Sequence, residues 1–188
     1  MKPFILCVAL ASMPLPAFGQ GQAQGQPVPI DVSGVRPGAI TVTTTGNAVS
    51  VSWPDETSRT WEATFSLDPS RALLTSIKVG SSTVVADARP VYQGETGKRR
   101  GGWYAFFDDP TTHPEGTRHV LGTFTLRGAK AKSIGDRVEL VFDGMRMGGF
   151  EGGVAYTFYP GSRLIQQEAV LTTSDPDVAY YYDAGLDM

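Results

Sequence analysis

Residues 40–53 read ITVTTTGNAVSVSW. Ile40 and Val42 alternate with threonines, Gly46-Asn47 interrupts, and Val49, Val51 and Trp53 then alternate with Ser50 and Ser52. Side chains two apart on an extended chain share a face, so each arm is a strand with one packed and one polar side. Gly and Asn both tolerate positive φ, so the pair between the arms is a two-residue turn. The segment is a β-hairpin, and the rest of the chain repeats its period.

Downstream, Trp61, Ala63, Phe65 and Leu67 alternate with Glu62, Thr64 and Ser66, and Asp68-Pro69 ends that strand. Leu73 to Val79 and Thr83 to Tyr92 are short apolar or β-branched runs, with Pro90 marking an edge position or an early end. Gln93 to Gly102 is polar and glycine-rich and is expected to be a loop. Trp103 to Phe107 is aromatic and strand-like, and Asp108 to Thr117 is a second loop. Val120, Phe124 and Leu126, then Val138, Leu140 and Phe142, then Val154, Tyr156 and Phe158 keep the two-residue period. Tyr159-Pro160-Gly161-Ser162 fits a type II turn, Leu164 to Thr173 returns from it, and Val178 to Ala184 is the last strand. No segment sustains a helical face. About ten strands at regular spacing predict an all-β, antiparallel β-sandwich.

The N-terminal end has a different character. Lys2, an apolar run from Pro3 to Phe18, and small residues at Ala17 and Gly19 read as a signal peptide over 1–19. Cys7, the one cysteine of the chain, lies inside it. Export would leave a cysteine-free protein, secreted or periplasmic, held by core burial and with no stable membrane anchor. Residues 20–38, rich in Gly, Gln and Pro, read as a flexible leader. The sandwich domain is then 39–188. The apolar Asp177 to Leu186 strand so near Met188 suggests the front part of a longer protein.

Composition narrows the partners. With 16 Lys+Arg against 19 Asp+Glu and a net charge of -3, there is no basic surface for nucleic acid and no polybasic tether. No nucleophile elbow, phosphate-binding loop, HExxH helix or CxxC pair is present. Gly101-Gly102, Gly148-Gly149 and Gly152-Gly153 do not stand between a strand and a helix, so they read as turns and bulges. His113 and His119 lie near Asp108, Asp109 and Glu115, but the spacing matches no ligand pattern. Asp175-Pro176-Asp177 reads as a turn before it reads as a calcium loop. No metal and no cofactor is expected, and the oligomeric state is open.

A polar and aromatic set stands on otherwise apolar strands: Trp103, Tyr104, Arg146, Arg163, Gln166, Glu168, Tyr180, Tyr181 and Tyr182. Flat rings cover the C–H faces of a sugar while guanidinium, amide and carboxylate groups pair with its hydroxyls, so the set suits saccharide binding. The competing reading is a solvated sheet face with ion pairs such as Arg163 with Glu168, plus aromatics that fill the core. Glu168 with Glu139 or Asp143 also supplies two carboxylates on separate strands, the raw material of glycoside chemistry.

Several stretches carry a resemblance: WEATFSLD (61–68), LLTSI (73–77), GWYAFFD (102–108), GDRVELVFDGMRMGGFEGG (135–153) and YPGSRLIQQEAVLTT (159–173). Over 39–188 the chain resembles the front half of a galactose mutarotase-like β-sandwich, the supersandwich of aldose epimerases and of sugar-processing lyases and hydrolases. The resemblance lies in strand order and in the Phe158–Glu168 segment. It implies a curved sheet around a carbohydrate. Epimerases of that family use a His acid and a Glu base, for which His119 and Glu168 are the loose counterparts here, and they have more strands than 188 residues supply. The expectation is a secreted carbohydrate-binding sandwich that belongs to a larger glycan-acting protein. The alternatives are a non-catalytic structural or interaction module of the cell envelope, and a self-contained sugar epimerase or glycan-cleaving enzyme using His119 and Glu168.

Overall fold

The computed structural model describes residues 28–98 and 117–188. The expected signal peptide, the Gln20–Gln26 run, Trp103, Tyr104 and His113 lie outside the described residues. Within them there is no helix, and twelve strands form two sheets. The strands are β1 (Ile30–Gly34), β2 (Thr41–Thr45), β3 (Ala48–Pro54), β4 (Thr60–Ser66), β5 (Leu74–Val79) and β6 (Ser82–Lys98). They continue with β7 (Arg118–Leu121), β8 (Thr123–Ile134), β9 (Arg137–Met147), β10 (Phe150–Phe158), β11 (Ile165–Thr172) and β12 (Val178–Asp187). One sheet runs β1-β8-β9-β10-β11. The other runs β12-β6-β5-β4-β3-β2, with β7 also on β6. The β1–β8 pair is parallel and the other pairs are antiparallel. The protein is an all-β sandwich.

The opening hairpin forms as its alternation predicts. Thr45 pairs with Ala48 across Gly46-Asn47. Gly46 alone takes positive φ, at 55°, the pattern of a type II′ turn. Val49, Val51 and Trp53 are buried on the inner face. The two sheets are clamped by rings: Phe65 of β4 lies 5.1 Å from Phe142 and 4.8 Å from Tyr156, and Trp53 of β3 lies 5.0 Å from Phe158, between ring centroids. Burying an aromatic side chain contributes about 1.5–3 kcal/mol, so this cluster carries a large share of the inter-sheet adhesion.

Three expectations need correction. The strands number twelve among the described residues, not about ten. One addition is β1, which falls inside the stretch read as leader. Val28, Ile30, Val32 and Val35 pack against the core there, and β1 gains a ladder with β8. The other addition comes from the Val120–Leu126 run. It divides at Gly122, where the chain leaves the sheet of β6 for the sheet of β1, with Gly122 N–H donating to Tyr92 O.

The second correction concerns Pro90, which does not end its strand. β6 passes from β5 to β12 between Ala88 and Arg89, next to Asp87 with its φ of 49°. At Pro90 only β12 is alongside, so one edge of β6 is free for a residue without an N–H. The third is that residues 93–98 are strand, not loop. Polar composition is overridden there because β6 is paired with β12 and β7 at once. Gly94 permits it: a Cβ at that position would stand 2.1 Å from Tyr181 O.

Candidate functional site

β11 ends one sheet and β12 ends the other, and these two edges face each other along one side of the sandwich. The chain turns from one to the other through residues 173–177. Asp175 N–H donates to Thr173 Oγ1 there and Asp177 takes a φ of 55°, so the Asp-Pro-Asp segment is a turn.

Alternation decides which side chains enter the seam. On β11, Ile165, Ala169 and Leu171 pack against the core, and Gln167 shares their parity. On β12, Tyr180, Tyr182 and Ala184 pair with Thr96, Gly94 and Tyr92, so they share the face of the buried Tyr92 and Thr96. Gln167 crosses the seam: its Nε2 donates to Tyr92 Oη at 3.3 Å and to Gly185 O at 3.4 Å.

On one side of Gln167 the seam is aromatic. Tyr180 and Tyr182 stack at 6.4 Å and 27°, Phe150 meets Tyr180 edge-on at 5.0 Å, and Tyr92 lies 6.2 Å from Tyr182. Tyr180 and Tyr182 are 47% and 44% exposed. They flank a small cleft of about 90 Å³ whose floor includes Met147, Ala169 and Leu171. Close to half of each of the two tyrosines is exposed, with Phe150 against Tyr180 and Tyr92 against Tyr182.

On the other side of Gln167 the seam opens into an apolar cavity of about 350 Å³, walled by Trp61, Ile77, Tyr156, Ile165 and Leu186 among others. Tyr156 is 2% exposed. Burial, with Tyr92 nearby, pushes its phenol far above the usual range, so it stays protonated. Burial also raises Tyr92, an effect opposed by the hydrogen bond from Gln167.

A buried carboxylate holds the rim of that cavity. Asp55 is 3% exposed. Its Oδ1 accepts from Thr57 N and Oγ1 at 2.8 and 2.7 Å and from Arg59 N at 2.9 Å. Its Oδ2 accepts from Arg59 Nε at 3.0 Å and Trp61 Nε1 at 3.1 Å, and lies 3.6 Å from Arg163 Nε. Burial alone would raise this carboxyl, but the donors outweigh it and hold the group well below the usual carboxylate range. Arg163 also pairs with Glu56. The knot fixes Trp61 and Arg163, two residues of the cavity wall.

Of the residues singled out from sequence, Tyr180 and Tyr182 come together, and Arg163 stands on the cavity wall at the other end of the seam. Arg163 pairs with Asp55 and Glu56 and not with Glu168. Gln166 lies on the outer face of β11, where it accepts from Tyr159 Oη at 2.5 Å. Arg146, exposed on β9 between the buried Met145 and Met147, pairs with Glu151 at 3.2 Å and does not line the seam cleft or cavity. Glu168 sits opposite Ala155 in one sheet, and His119 sits opposite Glu95 in the other. The residues that sequence reasoning passed over are Gln167, Tyr92, Phe150, Tyr156 and Asp55. Gln167 was detectable as the polar member of the apolar series Ile165, Ala169 and Leu171. The hydrogen-bond donors of Asp55, from Thr57, Arg59 and Trp61, lie within six residues of it, whereas its ion-pair partner Arg163 comes from far along the chain.

Comparison with protein-family models, with curated proteins and with solved structures finds no match to this chain.

Proposed function

We propose that this chain is an exported, carbohydrate-binding β-sandwich, one domain of a larger glycan-acting protein, and that saccharide lies on the Tyr180–Tyr182 platform. The observation that carries the reading is this stacked pair, each ring close to half exposed and backed by Phe150 and Tyr92. Two half-exposed rings on alternate residues of an edge strand put aromatic surface at one two-residue rise, a spacing that suits the C–H surfaces of an extended sugar chain. The resemblance to mutarotase-like sandwiches supports the same ligand class. The reading is a binding one because alternation turns His119 outward beside the inward Val120 and Glu168 outward beside the inward Ala169, on different sheets, so the counterparts of an epimerase acid and base do not face each other. Export rests on the signal-like residues 1–19, and mass spectrometry of the mature N-terminus tests it: a chain still carrying Met1 after passage to the periplasm or medium sinks that part.

A glycan array with the processed protein tests the ligand. A well-placed ring contact is worth about 0.5–1.5 kcal/mol, so Tyr180→Ala and Tyr182→Ala should each weaken a hit about fivefold with near-ultraviolet dichroism otherwise preserved. Binding to no glycan, or full affinity in the double variant, removes the proposal.

A further inference from the structure

Where the β4–β5 connection, β6, β8 and the end of β12 meet, a cavity of about 210 Å³ opens. Leu73, Phe124 and Leu126 give it an apolar floor: the two leucines are buried and Phe124 packs against the core. Four charged residues line the same space: Asp68 and Arg71 from the β4–β5 connection, Arg89 from β6 and Asp187 from β12. Arg89 and Asp187 are direct partners in the ladder. Yet among the described residues no two of the four come within ion-pair distance, and neither guanidinium has a hydrogen-bond partner. Ser70 donates through N–H and Oγ–H to one oxygen of Asp68, Oδ1, at 2.9 and 2.7 Å. These bonds, with Arg71 nearby, hold that carboxyl below its ordinary value, so it is charged at neutral pH. The cavity therefore has two cations and two anions with unused bonding capacity around an apolar floor.

We infer that this cavity binds a free amino acid with an apolar side chain, in its zwitterionic form. Such a ligand carries an ammonium and a carboxylate side by side and answers both signs at once. Guanidinium groups donate to its carboxylate, carboxylates accept from its ammonium, and its side chain covers Leu73, Phe124 and Leu126. A lone anion would face Asp68 and Asp187, and a lone cation would face Arg71 and Arg89. A sugar hydroxyl bonds to either sign but neutralises neither. The volume equals about seven water volumes, room for an amino acid the size of leucine or phenylalanine and too little for an oligosaccharide. The cavity shares no wall residue with the tyrosine cleft or the apolar cavity of the seam, so the inference does not rest on the saccharide reading.

Isothermal titration calorimetry of the purified protein with L-leucine at pH 7 tests it. Three analogues run beside it: leucinamide lacks the carboxylate, N-acetyl-L-leucine lacks the ammonium, and glycine lacks the side chain. One leucine per chain is expected, with each analogue about tenfold weaker or more, from the loss of a charge-assisted contact or of apolar burial. Arg71→Gln and Arg89→Gln should each weaken leucine about five- to tenfold and leave leucinamide unchanged. Asp187→Asn should weaken leucine and leave N-acetyl-L-leucine unchanged. All three residues are exposed, so melting temperatures should hold. Lys130→Gln, exposed on β8 outside the cavity, should bind leucine as the wild type does. Absence of saturable heat at millimolar leucine, leucinamide bound as tightly as leucine, or full leucine affinity in the Arg71→Gln, Arg89→Gln double variant overturns the inference. Glucose bound in place of leucine, with the same sensitivity to the two arginine changes, overturns it too. Glycan binding at the tyrosine platform is unaffected by any of these results.

Discussion

Phe65→Ala should take away more stability than most single changes this sandwich can suffer. Phe65 is 0% exposed and sits between the sheets, with ring centroids 5.1 Å from Phe142, 4.8 Å from Tyr156 and 6.2 Å from Phe158. Truncating a core Phe costs about 3–5 kcal/mol, from lost transfer free energy and from the void left behind. Three rings of the opposite sheet lose their partner at once, which places the cost in the upper part of that range. One feature works the other way: Phe65 also backs the open cavity of about 350 Å³, where wall side chains can shift inward and soften the void term. The expected loss is about 4 kcal/mol. For a chain of this length each kcal/mol shifts the melting temperature by about 2–4 °C, giving a drop of about 8–16 °C. Urea melts followed by near- and far-ultraviolet dichroism measure it, with the midpoint lowered and the slope unchanged. Val170→Ala, on the outward face of β11 and 54% exposed, is the control and should stay within about 0.5 kcal/mol. A Phe65→Ala loss below about 1.5 kcal/mol would show that the ring cluster does not hold the sheets together.

Other outcomes follow from the same geometry. Asp55 has its carboxyl depressed by its donors, so the stability it brings is complete above the ordinary value of 3.8 and is lost as pH falls below it. Acid unfolding of Asp55→Asn should start from a lower plateau and show a shallower limb. Asp31 and Asp68, held low by Ser33 and Ser70, keep part of the limb, and an acid profile parallel to wild type would rule out this role for Asp55. Tyr156 has the opposite sign: its phenol is raised by burial, so its contribution is present below the ordinary value of 10.0 and is lost as pH rises above it. Phenolate absorbance should therefore include Tyr156 only as the protein unfolds, and a full complement of phenolates with native dichroism would contradict its burial. Gly94→Val would drive a side chain into the backbone of Tyr181 and Tyr182. It should unzip β12 from β6, read as lost hydrogen-exchange protection at residues 178–187 with the β3–β4 amides retained. Unchanged protection at β12 would refute the close approach.

Much of the fold was readable in advance, and particular residues say why. Val49, Val51 and Trp53 had to share a face whatever surrounded them. Gly161 had to take the positive φ that the type II turn needs, and its φ is 78°. The leader was read too long because Pro27, Pro29 and Pro37 mask the alternation of Val28, Ile30 and Val32, whose burial depends on a parallel partner about a hundred residues away. Residues 93–98 looked like loop because their polar and glycine content is typical of one, and only two flanking strands make them a ladder. The candidate site was half legible. Tyr180 and Tyr182 stood out by composition and by spacing, whereas Gln166 drew attention that belonged to its neighbour Gln167.

Alternation along an extended chain is a local property, carried by backbone geometry, so it announces the strands, their inner faces and the glycines of their turns without reference to anything distant. Which edge lies against which is a long-range matter, settled by how whole apolar faces pack and by where the chain crosses between sheets at Gly122 and at residues 173–177. That packing alone set β11 against β12, brought Arg163 up to the locally bonded Asp55, and left Tyr156 Oη and Gln167 Oε1 buried without partners among the described residues.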